Sequence, residues 1–348
     1  MTGEARDGLV PVSQGPAFRR DEKNEISKSI RPPMGMLAGV LFGLSSAVLY
    51  TATNVALRHC VDIDAFLVSA VKAIPTVAFL GPYLVWMIVR GELIASSFRM
   101  VPRFILAALL GQFVGNAFFQ LALGRIGLAV SVPITLGTMI IGAAIFGRWL
   151  LHEKVKLRTL VAMLILLASI LVLSSPSSHP ELAQQAVVGS DFEPTSTARE
   201  VGIGSLCAAM SGIAYAVFGT VMRQALTGGL SAPFTMFLSG SVGAVALWAF
   251  SFYRIGAVLI LEVPPDEWGT MVVAGLLNFC AFVSLSIALK SLPVVAVNLL
   301  NASQVAMAAL AGIIFFSEPV TSSLITGVGL TLLGLLVMVQ RKRNNPDK

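Results

Sequence analysis

The chain repeats itself at an offset of about 165 residues, and every repeated segment is apolar enough to cross a membrane. Aligning Gly39 to Arg58 with Gly204 to Arg223 pairs Ser46 with Ser211, Tyr50 with Tyr215 and Arg58 with Arg223. Farther along, Gln112 pairs with Asn278, the dipeptide Ala122-Leu123 with Ala288-Leu289, and Glu153 with Glu318, while the offset drifts only between 165 and 166. Polar residues kept in register inside hydrophobic runs mark a duplicated membrane unit. Such repeats recur in secondary transporters, which hold their solute near the bilayer midplane where the copies meet.

Composition agrees with a membrane protein. Of 348 residues, 56% are hydrophobic and 12% charged, about half the charge of a soluble domain. Ten segments each offer the roughly 20 apolar residues that a bilayer of about 30 Å requires. They are Met34 to Leu57, Ala65 to Val89, Phe104 to Leu123, Ile126 to Phe146, Leu157 to Leu173, Val201 to Met222, Ala232 to Tyr253, Trp268 to Leu289, Pro293 to Phe316 and Ser322 to Val339. The expected fold is an all-α integral membrane protein with ten transmembrane helices.

The net charge of +6 reflects topology rather than an anionic partner such as nucleic acid. With the amino terminus placed in the cytoplasm, nineteen of the 24 Lys and Arg residues fall on that side. Only Arg58, Arg125, Arg199 and Arg254 fall on the other, and Lys72 lies within a span. The excess of basic residues in cytoplasmic loops favours ten spans in the cell membrane with both termini cytoplasmic. Five spans per copy is an odd number, so the second copy must enter the membrane inverted. The loop charges follow suit: Lys154, Lys156 and Arg158 come after Glu153, whereas Pro319, Thr321 and Ser322 come after Glu318.

The expected organisation is a tail over residues 1–33, a first five-helix repeat over 34–173, an extracytoplasmic linker over 174–200, a second inverted five-helix repeat over 201–340, and a tail over 341–348. The first tail lacks the apolar core of a cleavable signal, so the first span serves as signal anchor. Cys60, Cys207 and Cys280 are isolated and suggest neither a disulfide framework nor a metal site.

The passages LALGRIGLAVSVPI followed by Glu153, and IALKSLPVVAVNLL followed by Glu318, resemble the EamA family of the drug/metabolite transporter superfamily over nearly the whole chain. In that family the third span of each repeat ends in Ala-Leu, and the fifth carries glycines at fixed distances after the glutamate. Gly327 and Gly334 match those glycines in the second copy, and Ala162 and Ser169 stand there in the first. The resemblance implies a carrier of amino acids, other metabolites or drugs, with a lean towards export. Small residues seven apart share a helix face and allow close backbone approach.

Polar residues inside the spans are the candidate solute ligands. Lys72 lies about eight residues beyond Asp64, and a charge at such depth costs about 2.5 to 3.5 kcal/mol on insertion scales. It is either a cavity-facing cation for an anionic substrate group, or a lysine pinning helices through backbone carbonyls. Gln112, Asn116 and Gln120 recur at i, i+4 and i+8, which places three amides on one helical face. They either line the passage or bond between helices. Ser46, Tyr50 and Asn54 share that spacing, and Ser211 and Tyr215 repeat its first two members. The symmetric tyrosines suit a shared cavity or plain packing. Ser131, Thr135 and Thr138 in the fourth span, and Asn298, Asn301 and Gln304 in the ninth, complete the polar set with Asn278. Pro75 and Pro133 mark kinks or hinges. Glu153 and Glu318, each near the start of the next helix, read as caps stabilised by the helix dipole.

An intramembrane enzyme would show paired carboxylates, a nucleophile with its base, or a histidine cluster within the spans, and the sequence has none. No Gly-rich phosphate loop points to ATP. No carboxylate lies mid-span, which leaves Lys72 as the intramembrane candidate for charge coupling. The reading is a secondary transporter of a small organic metabolite with no cofactor. Its alternatives are a lipid-head-group flippase of the same superfamily, or a non-transport membrane protein such as an enzyme or receptor. Expected partners are a small-molecule substrate and the lipid bilayer, with a homodimer left open.

Overall fold

The computed structural model describes residues 36–151, 157–173, 194–291 and 294–339. Glu153, His152, both tails and most of the linker expected over 174–200 lie outside these residues. Regular structure within them is helical, apart from an isolated antiparallel bridge between Ala95 and Leu230.

The first repeat contributes α1 (Met36–His59), α2 (Ala65–Val89), α3 (Val101–Leu110), a π-helical stretch (Gly111–Ala117), α4 (Phe118–Leu151) and α5 (Leu157–Leu173). The second contributes α6 (Pro194–Thr227), α7 (Ala232–Leu261), α8 (Pro265–Ser291), α9 (Val294–Phe316) and α10 (Ser322–Val339). α6 begins inside the expected linker.

Six stretches among the described residues are long and apolar enough to span a bilayer, namely Leu37–His59, Ala65–Val89, Val101–Leu150, Ala198–Thr227, Ala232–Leu261 and Pro265–Ala288. Leu160–Leu173, Ser303–Phe316 and Ser322–Gly334 are apolar but shorter. The ten expected spans are thus not all separate long helices, because the third and fourth form one interrupted stretch of 50 residues. At 1.5 Å per residue that stretch would measure roughly 75 Å, far beyond a hydrocarbon core of about 30 Å. The interruption is Gly127, whose φ of 71° and ψ of 179° lie where only glycine avoids strain.

The helices of the two repeats interleave. α1 packs chiefly on α8 and α9, α2 on α7, α4 on α6, and α5 on α10. Each of these main contacts joins one repeat to the other. The α5–α10 contact is made by the small residues singled out in the sequence. A Cβ on Gly334 would meet Leu166 Cγ at 2.9 Å, and Ser169 Oγ donates to the Gly327 carbonyl at 2.6 Å. Ala162 and Ser169 are each 1% exposed. The first repeat's small residues therefore face the second repeat's glycines.

Helix ends are closed by local side chains and, at one place, by a distant one. Asp64 accepts from the Phe66 and Leu67 N–H groups to start α2, and Thr321 accepts from Leu324 to start α10. The helix that resumes after Gly127 is capped instead by Glu318, which accepts from the Leu128 and Ala129 N–H groups at 2.6 and 2.8 Å. The capping role expected for Glu318 is therefore played on the other repeat rather than on its own next helix.

Leu37, Val85, Leu106, Leu171, Val245 and Ile314 all lie largely exposed, scattered over different helices. A soluble protein rarely presents so extensive an apolar surface. A lipid environment satisfies it, and the chain is a multi-pass membrane protein.

Candidate functional site

The π-helical stretch Gly111–Ala117 organises the polar interior. Bonding from i to i+5 widens the turn and resets the phase of the residues that follow, and such bulges are frequent at functional sites. Here the wide turn presents both Gln112 and Asn116 to the neighbouring helices. Ser211 Oγ on α6 donates to the Gly115 carbonyl at 2.7 Å and so ties the turn to the second repeat.

Lys72 on α2 is 6% exposed and donates its Nζ to Asn116 Oδ1 at 2.6 Å. Tyr215 on α6 donates its hydroxyl to the same oxygen, also at 2.6 Å. Asn116 Nδ2 in turn donates to Gln112 Oε1 at 2.5 Å, and Gln112 Nε2 donates to the Ser239 carbonyl of α7 at 3.2 Å. A chain of directed hydrogen bonds thus runs from α7 through the π turn to a buried cation and a phenol. Among the described residues no carboxylate pairs with Lys72.

Two bare backbones make the arrangement fit. A Cβ on Gly115 would stand 2.7 Å from the Tyr215 ring, and one on Gly243 would stand 2.5 Å from Gln112 Cδ. Gln112, Asn116 and Tyr215, like Tyr50 on α1, each keep part of their surface open, whereas Lys72 is buried.

Among the described residues, the other expected ligands make no hydrogen bond to this network. Gln120 does not join Gln112 and Asn116; its Nε2 donates to the Leu57 and Cys60 carbonyls at 2.8 and 3.0 Å, closing the end of α1. Asn301 accepts from Gln304 one turn along α9. Asn278 is half-buried on α8 with no hydrogen bond to Lys72, Asn116 or Tyr215. Thr135 reaches the Ala208 carbonyl on α6, whereas Thr138 bonds back to its own helix. The side chain of Asn298 lies outside the described residues, as does Glu153. Gly327 and Gly334 serve the α5–α10 contact described above.

Sequence reasoning missed Ser239, Gly115, Gly243 and the π turn itself. A glycine beside Asn116 is no signal by itself, and Gly115 becomes meaningful only once Tyr215 is seen to lie against it.

At one end of the molecule, three of the four arginines expected on the non-cytoplasmic side bridge the repeats. Arg58 lies 3.7 Å from Glu318, Arg125 lies 3.2 Å from Glu200, and Arg254 contacts Asp64. On the surface, a groove of about 540 Å³ between α4 and α5 is lined by Ile145, Arg148, Trp149, Leu157 and Leu160, among others.

A family model described as the EamA-like transporter family matches residues 37–175 and 202–340 of the chain. No curated protein matches the chain in sequence. A solved structure described only as the crystal structure of a protein superposes with a TM-score of 0.54 at 17% identity, covering 86% of this chain and 96% of that one. That likeness is one of fold.

Proposed function

The chain belongs to the EamA-like transporter family, and from that premise we propose that it is a secondary transporter of a small organic metabolite. The cargo class is an amino acid, organic anion or drug-like solute, moved by alternating access in the direction of export. The observation that carries this reading is the Lys72–Asn116–Tyr215 network, a buried cation and a phenol from opposite repeats meeting on one amide oxygen. Intramembrane charge is expensive and is retained where it serves a solute or ion path. The protein acts in the cell membrane with both termini in the cytoplasm.

The architecture that goes with this reading is ten spans in two inverted five-helix repeats. The helix pairings support it: exchanging the first five spans with the last five turns the α1–α8 pairing into a pairing of α6 with the π stretch, and leaves α2–α7 and α5–α10 unchanged. Because the repeats interleave, the bodies that move must each draw helices from both. The three ion pairs between repeats would close the non-cytoplasmic end.

Uptake into proteoliposomes of the purified protein tests the reading, with anionic, zwitterionic, neutral and cationic metabolites and with and without a pH gradient. Selective movement of one class, lost in Lys72→Met with the protein still folded, is the expected result. The surface groove at Arg148 and Trp149 favours a second reading, lipid-head-group flipping, since it pairs one cation with an interfacial aromatic. Movement of a fluorescent anionic phospholipid, and of no soluble solute, would select it.

A further inference from the structure

The hydrogen bonds of the interior network converge on one neutral atom. Asn116 Oδ1 accepts from the Lys72 ammonium and from the Tyr215 hydroxyl, each at 2.6 Å. A buried cation whose partner is a neutral amide is electrostatically incomplete, because burial of a charge is costly until an opposite charge compensates it. Among the described residues no ion pair supplies such a charge. Gln112 and Ser239 extend the network through amide and hydroxyl atoms alone. A single anionic oxygen at the position of Asn116 Oδ1 would pair the Lys72 ammonium with an opposite charge and turn the Tyr215 bond into a charge-assisted one, about twice as strong as a neutral one.

The geometry points to Asn116 as a stand-in for the solute: its side-chain oxygen occupies the place that a carboxylate oxygen of the transported molecule takes, between Lys72 and Tyr215. This rests on the transporter reading and narrows its cargo to molecules bearing a monoanionic carboxylate. One cation balances one negative charge, so a doubly charged phosphate ester would leave a charge uncompensated in a low-dielectric setting. On binding, the amide of Asn116 swings away from Lys72 and Tyr215 while its Nδ2 stays within reach of Gln112 Oε1. The empty site is thereby kept satisfied, and the solute competes with a side chain rather than with bulk water. Gly115 is the residue that lets Tyr215 come close enough to share the oxygen.

Thermal unfolding of the detergent-purified full chain tests this, with sodium benzoate and sodium lactate as probes, and benzamide and glycerol phosphate as neutral and dianionic controls. The wild type is expected to be stabilised by a carboxylate probe and not by the controls. Asn116→Asp supplies an internal carboxylate of the same shape, and apparent affinity for the carboxylate probe should fall by at least about tenfold. Asn116→Ala removes the competitor, and affinity should hold or rise. A merely structural asparagine would behave in the opposite order, since the isosteric aspartate is then the milder change. Tyr215→Phe removes one donor and should weaken the probe without abolishing it.

The inference is overturned if Asn116→Asp binds as the wild type does, if Asn116→Ala loses binding while remaining folded, or if no carboxylate stabilises the wild type. Proteoliposome transport separates it from the broader reading. Movement of a neutral or cationic solute would keep the transporter and remove the carboxylate site. Carboxylate binding with no movement of any solute would keep the site and remove the transporter.

Discussion

Glu318 accepts a hydrogen bond from the backbone N–H of Leu128 at 2.6 Å, across 190 residues of sequence. Its second carboxylate oxygen takes the Ala129 N–H at 2.8 Å, and Arg58 lies 3.7 Å away. The carboxylate fits because two backbones beside it are bare: a Cβ on Gly127 or on Gly312 would strike it. A helix start with its positive dipole end is thus closed by a negative charge from the other repeat.

Glu318→Gln keeps the shape and loses the charge. It should destabilise the protein by about 1 to 2 kcal/mol, the usual worth of a good N-cap. Arg58→Gln should cost less, since that contact is longer and partly exposed. Thermal unfolding of both variants in detergent, compared with the wild type, measures the difference. Equal costs would mean that the ion pair, not the cap, holds the two repeats here.

Gln120 and Asn116 lie four residues apart and should separate by phenotype. Gln120→Leu removes the side-chain donor from the Leu57 and Cys60 carbonyls, of which Leu57 keeps the Cys60 N–H, and should lower stability by about 1 to 3 kcal/mol, the desolvation cost of a buried acceptor. Transport per folded molecule should change little. Asn116→Ala should alter solute handling with a smaller change in unfolding temperature. Transport assays normalised to folded protein check both.

The α5–α10 contact should be sensitive to volume and tolerant of polarity. Gly334→Leu forces apart Leu166 and the Ala162 carbonyl, at an expected cost of about 1 to 3 kcal/mol. Ser169→Ala removes its bonds to the Gly327 carbonyl and Thr331, and interhelical bonds in membranes average only about 0.6 kcal/mol. The unfolding temperatures should therefore rank wild type, Ser169→Ala and Gly334→Leu in descending order.

Cys60, just past the end of α1, is fully buried, and its thiol is pushed up to about 12 by burial and, secondarily, by Glu267. The thiolate is the reactive form, so at neutral pH almost none is present. In a variant with Cys207→Ala and Cys280→Ala, maleimide labelling of the folded protein should be negligible at pH 7.5. It should rise only as pH climbs towards the raised value, because burial stabilises the protonated thiol below it. Rapid labelling at pH 7.5 would show that this end of the molecule opens to water.

Much of the architecture was legible because membrane burial acts on local pattern. A run of about twenty apolar residues is identified without knowledge of its neighbours, which is why α1, α2, α6, α7 and α8 fall close to the segments expected from the sequence. The same holds for Gly327, Gly334, Ala162 and Ser169, whose spacing marked a close-packed face. The i, i+4, i+8 argument on Gln112, Asn116 and Gln120 assumed an unbroken α-helix. A shared face does not fix partners, because Gln120 lies about one turn further along the axis than Asn116: it meets the carbonyls at the end of α1, while Asn116 meets Lys72.

By itself, then, the sequence determined the solvent the protein lives in, its duplication, and which polar side chains lie buried in the spans, because each follows from composition and register along one chain. Only the tertiary structure decided which of those side chains meet. Lys72, Asn116, Tyr215 and Ser239 come from four different helical segments, and their convergence depends on helix phase and on how closely backbones approach at Gly115 and Gly243. Those quantities are set by packing between segments far apart in sequence, where no local periodicity reaches.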